Sequence, residues 1–442
     1  MMTQNSILFY RFRILILIAF FSTLVSVDSY SQTSAYPDQH FLITGADSLL
    51  SDAETVLNIE QTDDGKSIRL SDNVTSGYLF LEPQKSEHPF NIGLASWNGL
   101  VEDDQSAFRV FVRVPYGDDW SPWLEVGFWK ANIWGSKQTS FGGGYVDIDI
   151  LTLKYFVTEW QFAVEMKRLS TSDPSPALHL LSFFMSDSRT TDRLDYTEIL
   201  NDNPPEIFIE TDFVAQRKVD PQIGGSICSP STVSMILLSY GIDVDPYQFA
   251  LDTKDPYYGI FGVWPRVVQN ASEFGLRGMV TRYRTWSDAY HVLAQGGRIG
   301  MSIGPPLYGG HLVMLAGFTE NGDPIVHDPA KTYNGYGYVF DKSQLSQSWF
   351  NKGGVGYTFY PNDTTDFTDI RIAGNDDPQI PAQVTLHPNY PNPFNASTTF
   401  FYELKDAGFV DFSIYNMLGE KIVTLENSHQ PAGQYLLKWN GT

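Results

Sequence analysis

Hydrophobic and polar residues alternate along much of the first half of the chain. Phe108, Val110, Val112 and Val114 occupy every second position of one segment, and the same pattern recurs in later segments at 124–129, 146–150, 153–158, 161–166 and 178–185. Side chains two apart lie on the same face of a strand, so this pattern predicts many short strands. Glycine- and proline-containing turns separate the segments. We therefore expect residues 36–200 to form an antiparallel β-sandwich with a jelly-roll-like topology.

Residues 205–362 mix helical and strand patterns. Apolar spacing predicts helices at 263–274 and 286–294, each followed by glycine. Strands are predicted at 298–303, 311–317, 324–327, 336–340 and 356–360. Helices that precede a sheet indicate an α+β domain, and the proline- and asparagine-rich residues 201–205 are expected to be the linker before it.

One helix of this second region carries the only cysteine of the 442 residues. Val233, Ile236, Leu237 and Tyr240 recur at helical spacing and predict an amphipathic helix that ends near a glycine at position 241. Cys228 comes at its N-terminus, where the aligned peptide dipoles favour a thiolate over a thiol. The alternative is a small buried hydrophobic residue with no chemistry.

The N-terminal residues and the charge indicate where the protein acts. Residues 1–31 have two arginines, an apolar run and small residues before a cleavage site, which is typical of a signal peptide. The alternative is an N-terminal anchor, but the run is only about a dozen residues long. No other segment is long enough to span a membrane, and the net charge of −22 argues against nucleic acid and anionic membranes as partners. We expect a secreted or cell-surface protein.

A thiol nucleophile requires a base and a third group that orients the base. His311 follows paired glycines and begins an apolar strand, so it is placed to face a cleft. Asp328 begins a turn at the end of the next predicted strand and can reach the imidazole if the two strands are neighbours. His291 lies inside a helix and His327 at a strand end. For His311 and Asp328 the alternatives are an ordinary edge histidine and an Asp-Pro turn.

The residues around these positions resemble cysteine peptidase family 39 and its secreted relatives, which have a papain-like fold. The resemblance rests on Cys228-Ser-Pro-Ser-Thr, Gly310-His311-Leu-Val and Val326-His-Asp328-Pro-Ala. It implies that Cys228 is the nucleophile, His311 the general base and acid, and Asp328 the orienting residue. It also implies that Gln216 donates to the oxyanion hole with a backbone N–H at Cys228, and Gln222 is the other candidate for that role.

The family resemblance does not set the substrate. The leader peptidases of this family carry Asp directly before the cysteine and belong to transporters, whereas this chain has Ile227 there and neither a membrane span nor a nucleotide motif. The expected function is a secreted cysteine peptidase that acts on a peptide or protein substrate. The alternatives are a papain-fold amidase or acyltransferase that acts on cell-wall material and an inactive peptide- or glycan-binding surface protein.

Two further features bear on binding. Six tryptophans of the first half either form a sugar- or peptide-binding face or fill the sandwich core, namely Trp97, Trp120, Trp123, Trp129, Trp134 and Trp160. No spacing typical of a zinc site is present, so neither a metal nor another cofactor is expected.

The C-terminal residues resemble a second family. After a polar linker at 363–382, Tyr390-Pro-Asn-Pro-Phe-Asn395 and Tyr415-Asn-Met-Leu-Gly-Glu420 are similar to the C-terminal sorting domain of type IX secretion. Alternating strands with glycine and proline turns predict a small, Ig-like β-sandwich at 383–442. The resemblance implies the type IX secretion machinery as a partner, and implies that the sorting domain is truncated, because such domains continue for two further strands.

Overall fold

A computed structural model of the chain describes residues 30–31, 37–130, 133–134, 137–362, 384–386, 389, 397–404, 408–415, 421–431 and 433–441. The chain divides into a large compact unit, residues 25–375, and a second unit that contains residues 376–442. The expected signal peptide lies almost entirely outside the described residues. No helix among the described residues is long and apolar enough to cross a membrane.

The first half of the large unit consists mainly of strands. Its elements are β1 (Tyr30–Ser31), β2 (Gln39–Thr44), α1 (Ala46–Ser51), β3 (Ala53–Leu57), β4 (Ile59–Gln61), β5 (Ile68–Leu70), β6 (Ser76–Leu81), β7 (Gln84–Leu100), β8 (Ser106–Arg113), β9 (Pro115–Tyr116), β10 (Asp119–Trp120), β11 (Leu124–Lys130), β12 (Ser140–Phe141), β13 (Gly144–Asp147), β14 (Ile150–Arg168), β15 (Ala177–Ser186), a 3₁₀ helix (Ser188–Arg193) and α2 (Tyr196–Asn201).

These strands form antiparallel sheets, as the alternation predicts, and one long strand joins two layers. The first part of β14 pairs with β7 and β13, whereas its second part pairs with β6 and β8. Buried Phe108, Trp160 and Phe183 lie in the core that these layers share. The prediction of separate strands at 153–158 and 161–166 is wrong, because no glycine or proline interrupts residues 150–168 and the strand continues.

The six tryptophans divide into two groups. Trp97, Trp129 and Trp160 are fully buried, in agreement with the core alternative. The other three are partly exposed and pack against arginines instead. The Arg113 guanidinium lies 4.8 Å from the Trp120 ring centre and 4.5 Å from that of Trp123, and Arg109 lies 4.7 Å from that of Trp134. These cation–π contacts occupy part of the aromatic surface that a ligand would need.

The second half of the large unit contains helices and one seven-stranded antiparallel sheet whose strands do not follow chain order. Its elements are β16 (Ile207–Phe208), α3 (Gln216–Val219), α4 (Cys228–Ser239), α5 (Pro246–Thr253), α6 (Trp264–Glu273), β17 (Leu276–Arg282), α7 (Trp286–Ala294), β18 (Arg298–Ile303), β19 (His311–Phe318), β20 (Pro324–His327), β21 (Tyr338–Val339), α8 (Lys342–Phe350) and β22 (Val355–Pro361). All strand pairs are antiparallel, in the order β17-β22-β18-β19-β20-β21, and β16 pairs with β19.

Helix α4 differs from its prediction. Residues 229–237 are all buried, so the helix has no solvent-exposed face over that stretch and is not amphipathic. It packs against β18 and β19 on one side and against α5 and α6 on others. Two of its buried hydroxyl groups are satisfied inside the protein, because Thr232 donates to the Leu312 carbonyl oxygen and Ser234 to that of Pro230, whereas Ser231 Oγ has no partner among the described residues. The central position of α4 holds Cys228 in a rigid part of the fold.

The two halves of the large unit are joined through the edge strand β17. Its outer edge pairs with none of the described strands, but two side chains of β7 bond to it. Asn98 exchanges two hydrogen bonds of 2.9 Å with the backbone of Gly278, and the Val280 N–H donates to Ser96 Oγ. These bonds satisfy backbone groups that an exposed edge would leave open. The two halves contact each other extensively, mainly through β7, α6 and β17. The expected domain boundary at 201–205 stays a prediction.

The C-terminal unit contains two small antiparallel sheets. The strands are β23 (Val384–Leu386), β24 (Thr398–Leu404), β25 (Gly408–Tyr415), β26 (Lys421–Gln430) and β27 (Gly433–Trp439), with β23-β24-β27 in one sheet and β25-β26 in the other. Phe400, Tyr402, Phe412 and Ile414 belong to a common core. Most of the two sequence motifs that suggest a sorting domain falls outside the described residues.

Candidate active site

Cys228 is the first residue of α4 and is partly exposed. Ile227 before it provides no side-chain cap, so the N–H groups of the first turn remain available to other acceptors. The thiol interacts with the backbone N–H groups of Ser229 and Leu312 and with the side chain of His311. The sulfur therefore lies where the start of α4 meets the start of β19.

His311 and Asp328 come together because β19 and β20 are neighbours. The strands pair antiparallel, with Met314 opposite His327, so the start of β19 lies beside the segment that follows β20. The distance from His311 Nε2 to Asp328 Oδ1 is 2.7 Å. His311 is 5% exposed and Asp328 is fully buried. Because Nε2 contacts the carboxylate, Nδ1 is the ring nitrogen that faces Cys228.

The Asp328 carboxylate is held by further donors. The Tyr308 hydroxyl donates to Oδ2 at 2.6 Å, and the Ala330 N–H donates to Oδ1 at 3.0 Å. The Tyr308 ring also packs against His311, with 4.3 Å between the ring centres. Tyr308 thus contacts both members of the pair, and it was not predicted from the sequence. Its position three residues before His311 in the glycine-rich loop is the only sequence signal for it.

Each of the three residues shifts the pKa of its neighbour towards the charged form. Burial raises the pKa of the Cys228 thiol, but the hydrogen bond and charge of His311, together with the backbone N–H groups of Leu312 and Ser229, leave that pKa below its ordinary value. Burial lowers the pKa of His311, yet Asp328 and Cys228 together raise it to about 9. Burial raises the pKa of Asp328, and its bonds to His311 and Tyr308 bring it below the usual value. These directions favour a thiolate beside an imidazolium near neutral pH.

Gln216 and Gln222 have different environments. Gln216 is 4% exposed, its Nε2 donates to the Gly224 carbonyl oxygen at 2.7 Å, and its backbone N–H donates to Pro329 next to Asp328. Its Oε1 has no hydrogen-bond partner among the described residues. Gln222 is exposed at the surface. A Cβ at Gly224 would collide with the carbonyl oxygens of Asp220 and Gln216, so only glycine allows this tight loop before Cys228.

Tyr357 and Lys352 lie near Cys228 or the residue after it, and neither was predicted from the sequence. The Ser229 hydroxyl is 2.7 Å from the buried Tyr357 hydroxyl, which fixes the first turn of α4 against β22. Lys352 donates from Nζ to the Ile303 carbonyl oxygen at 3.3 Å. Burial lowers the pKa of Lys352, and the charge of Cys228 acts in the opposite direction. Lys352 therefore brings a cation to the neighbourhood of the thiol.

The remaining histidines of this region have structural bonds. His291 bonds from Nδ1 to the Ser287 carbonyl oxygen within α7. His327 is fully buried, with Nε2 at 3.0 Å from the Ile209 carbonyl oxygen and Nδ1 accepting from the Gly337 N–H. Within the described ranges, no group of three or more His, Cys, Asp or Glu residues is arranged to hold a metal ion.

The pH dependence of alkylation should report the interaction between Cys228 and His311. In the wild type we expect rapid reaction of Cys228 with iodoacetamide well below pH 8.5, the ordinary pKa of a thiol, because the imidazolium stabilises the thiolate. In His311→Ala the pH midpoint should shift upward by one unit or more, since the remaining effect of burial raises the thiol pKa. Mass spectrometry measures the rate, and every label marks Cys228 because the chain has one cysteine. Equal midpoints would contradict this interaction.

The match to one protein family supports a peptidase-like domain. Residues 208–357 match the family described as Peptidase_C39 like family. Among solved structures, the chain is similar to a crystal structure of a double glycine motif protease from an AMS/PCAT transporter in complex with the leader peptide. That match has 18% sequence identity and a TM-score of 0.26, and it covers 36% of this chain and 99% of the protease chain. No curated protein matches.

Proposed function

We propose that the region 205–362 is a cysteine peptidase that hydrolyses peptide amide bonds. The observation that carries the proposal is the continuous contact from the Cys228 thiol through His311 to the buried Asp328 carboxylate. The match of residues 208–357 to the C39-like family supports the same chemistry. A nucleophile, a base and an orienting acid in this order are what acyl transfer through a thiol requires.

The reaction proceeds in two halves. The Cys228 thiolate attacks the carbonyl carbon, a carbon–sulfur bond forms, and the electron pair of the C=O bond moves to oxygen. The C=O bond re-forms as the C–N bond breaks, and the Nδ1 proton of His311 passes to the leaving amine. A water molecule then gives a proton to His311 and attacks the thioester, which releases the carboxylic acid and restores the thiolate. Asp328 keeps the imidazole oriented and stabilises its charge throughout.

The developing oxyanion requires hydrogen-bond donors. We assign this role to the backbone N–H of Cys228 and to Gln216, whose amide nitrogen carries a second N–H beyond the one bonded to Gly224. The hydrogen bond to Gly224 ties this amide to the loop that leads into α4. Loss of one such donor typically lowers the rate on the order of a hundredfold. The exposed position of Gln222 makes it the weaker candidate.

The place of action is proposed from the sequence. The signal-peptide pattern of residues 1–31 and the similarity of residues 383–442 to a sorting domain support export and then passage across the outer membrane by type IX secretion. The partners would be that machinery and an extracellular peptide or protein substrate. An acidic surface with a formal charge of −22 suits an exported protein that does not bind nucleic acid.

A substrate panel tests the proposed reaction. The purified protein is incubated with a mixed peptide library and, separately, with peptidoglycan fragments, and mass spectrometry detects new termini. We expect cleavage of peptides at internal amide bonds by the wild type. If only the peptidoglycan fragments give products, the proposed peptidase activity is wrong and the protein is a cell-wall amidase. No product from either set, together with slow alkylation of Cys228, would show that the domain is a binding module.

A further inference from the structure

A polar cavity lies between the two halves of the large unit. Its volume is about 260 Å³, and it is lined by Ile92, Ser186, Asp187, Ser188, Arg282, Arg284, Asn351, Lys352 and Gly353. The first four residues come from β7, β15 and the 3₁₀ helix, and the others from β17 and the segments that follow β17 and α8. Three of the nine residues are cationic and one is anionic.

Arg282 has no carboxylate partner. It is only 9% exposed, and no ion pair to it occurs among the described residues. Its Nη1 donates to the Gly353 carbonyl oxygen at 3.0 Å, while its buried Nε has no hydrogen-bond partner in the described part of the chain. An uncompensated charge in such a place is costly, so a buried guanidinium normally has an anion beside it.

The carboxylates nearby are already neutralised by other arginines. Asp38 bonds to Arg284 through both oxygens, at 2.5 and 3.0 Å. Asp187 bonds through both oxygens to Arg189, which reaches out towards solvent. The two positive charges that remain at the cavity are those of Arg282 and Lys352, so the cavity has an excess of two positive charges.

From this arrangement we infer that the cavity binds a tetrahedral oxyanion with two negative charges, which is a phosphate or sulfate group. The charge of the ligand matches the excess of the site, and guanidinium groups bind such oxygens through paired N–H donors. The Ser186 and Ser188 hydroxyls and the Asn351 amide also line the cavity and provide neutral donors. The bound group would link β17 to the sandwich. The free ion and a phosphate ester present the same oxygens.

The inference is tested by thermal unfolding of the full chain. Low-millimolar sodium phosphate, sodium sulfate and glycerol 3-phosphate are each compared with sodium chloride at equal ionic strength. We expect Tm to rise by about 3 °C or more and to saturate for at least one of them. A response to glycerol 3-phosphate that exceeds the response to phosphate identifies an esterified ligand, and the reverse identifies the free ion. No saturable rise with any of the three overturns the inference, as does an equal rise with sodium acetate.

Matched variants separate specific binding from a general salt effect. Arg282→Met should abolish the rise, whereas Arg217→Met removes one exposed positive charge and should keep it. Ser188→Asp places a carboxylate on the wall of the cavity and should also abolish the rise, which gives a second reading if Arg282→Met folds poorly. An undiminished rise in Ser188→Asp, or in a folded Arg282→Met, overturns the inference. None of these residues belongs to the proposed triad, so the result is independent of peptidase activity.

Discussion

Replacement of Cys228 by alanine is expected to reduce peptide hydrolysis by a factor on the order of 10⁴ to 10⁶, because no other group can form the acyl intermediate. The thiol is the only one in the chain, and its thiolate is stabilised by His311 and by the N–H groups of Ser229 and Leu312. Initial rates on a cleaved library peptide measure the effect. Ser226→Ala serves as a control, since Ser226 is exposed two residues earlier in the same loop.

The same measurement shows whether Cys228 and His311 act as a unit. His311→Ala should cost nearly as much as Cys228→Ala, and the double variant should be no slower than either single variant. Non-additivity of this kind follows from the shared proton between the two side chains. A double variant with losses that multiply, or a Cys228→Ala variant with more than about a tenth of the wild-type rate, would contradict the proposed mechanism.

Local sequence features predicted the elements around the candidate site. The glycine pair before His311, the Asp-Pro turn after the next strand and the cysteine at the start of a helix are short-range signals. In the structure His311 interacts with both Cys228 and Asp328. Helix α7 and strands β18 and β20 have the predicted bounds. Tyr308 and Lys352 were missed because their roles depend on which strands become neighbours, and no periodicity contains that information.

Tertiary packing overrode the local pattern elsewhere. The apolar spacing of α4 indicated one buried face, but the surrounding helices and sheet bury the whole helix from 229 to 237. Strand β17 and helices α5 and α8 were not predicted. Strand β17 in particular depends on β22 and on side chains of β7 that are about 180 residues away. Contacts at such separations arise only from the complete fold.

The ion pair between Asp38 and Arg284 should contribute strongly to stability. Arg284 Nε and Nη2 lie 2.5 and 3.0 Å from the two carboxylate oxygens, and both side chains are at most 2% exposed. Asp38→Ala leaves Arg284 buried without its partner, and Arg282 nearby also has no carboxylate partner. Removal of one member of a buried pair typically costs about 3–5 kcal/mol. We therefore expect a large decrease in the urea midpoint of Asp38→Ala.

Two comparisons make that result specific to burial. Asp63→Ala breaks an exposed pair with Arg69, in which Asp63 is 92% exposed, and should change stability by about 1 kcal/mol or less. Asp38→Ala combined with Arg284→Met removes both charges and should recover part of the loss, because no buried charge of that pair remains unpaired. A single variant as stable as the wild type would show that the first strands of the sandwich do not depend on the peptidase-like half. A decrease with partial recovery would show that the loss arises from the buried charge of Arg284 left without its carboxylate.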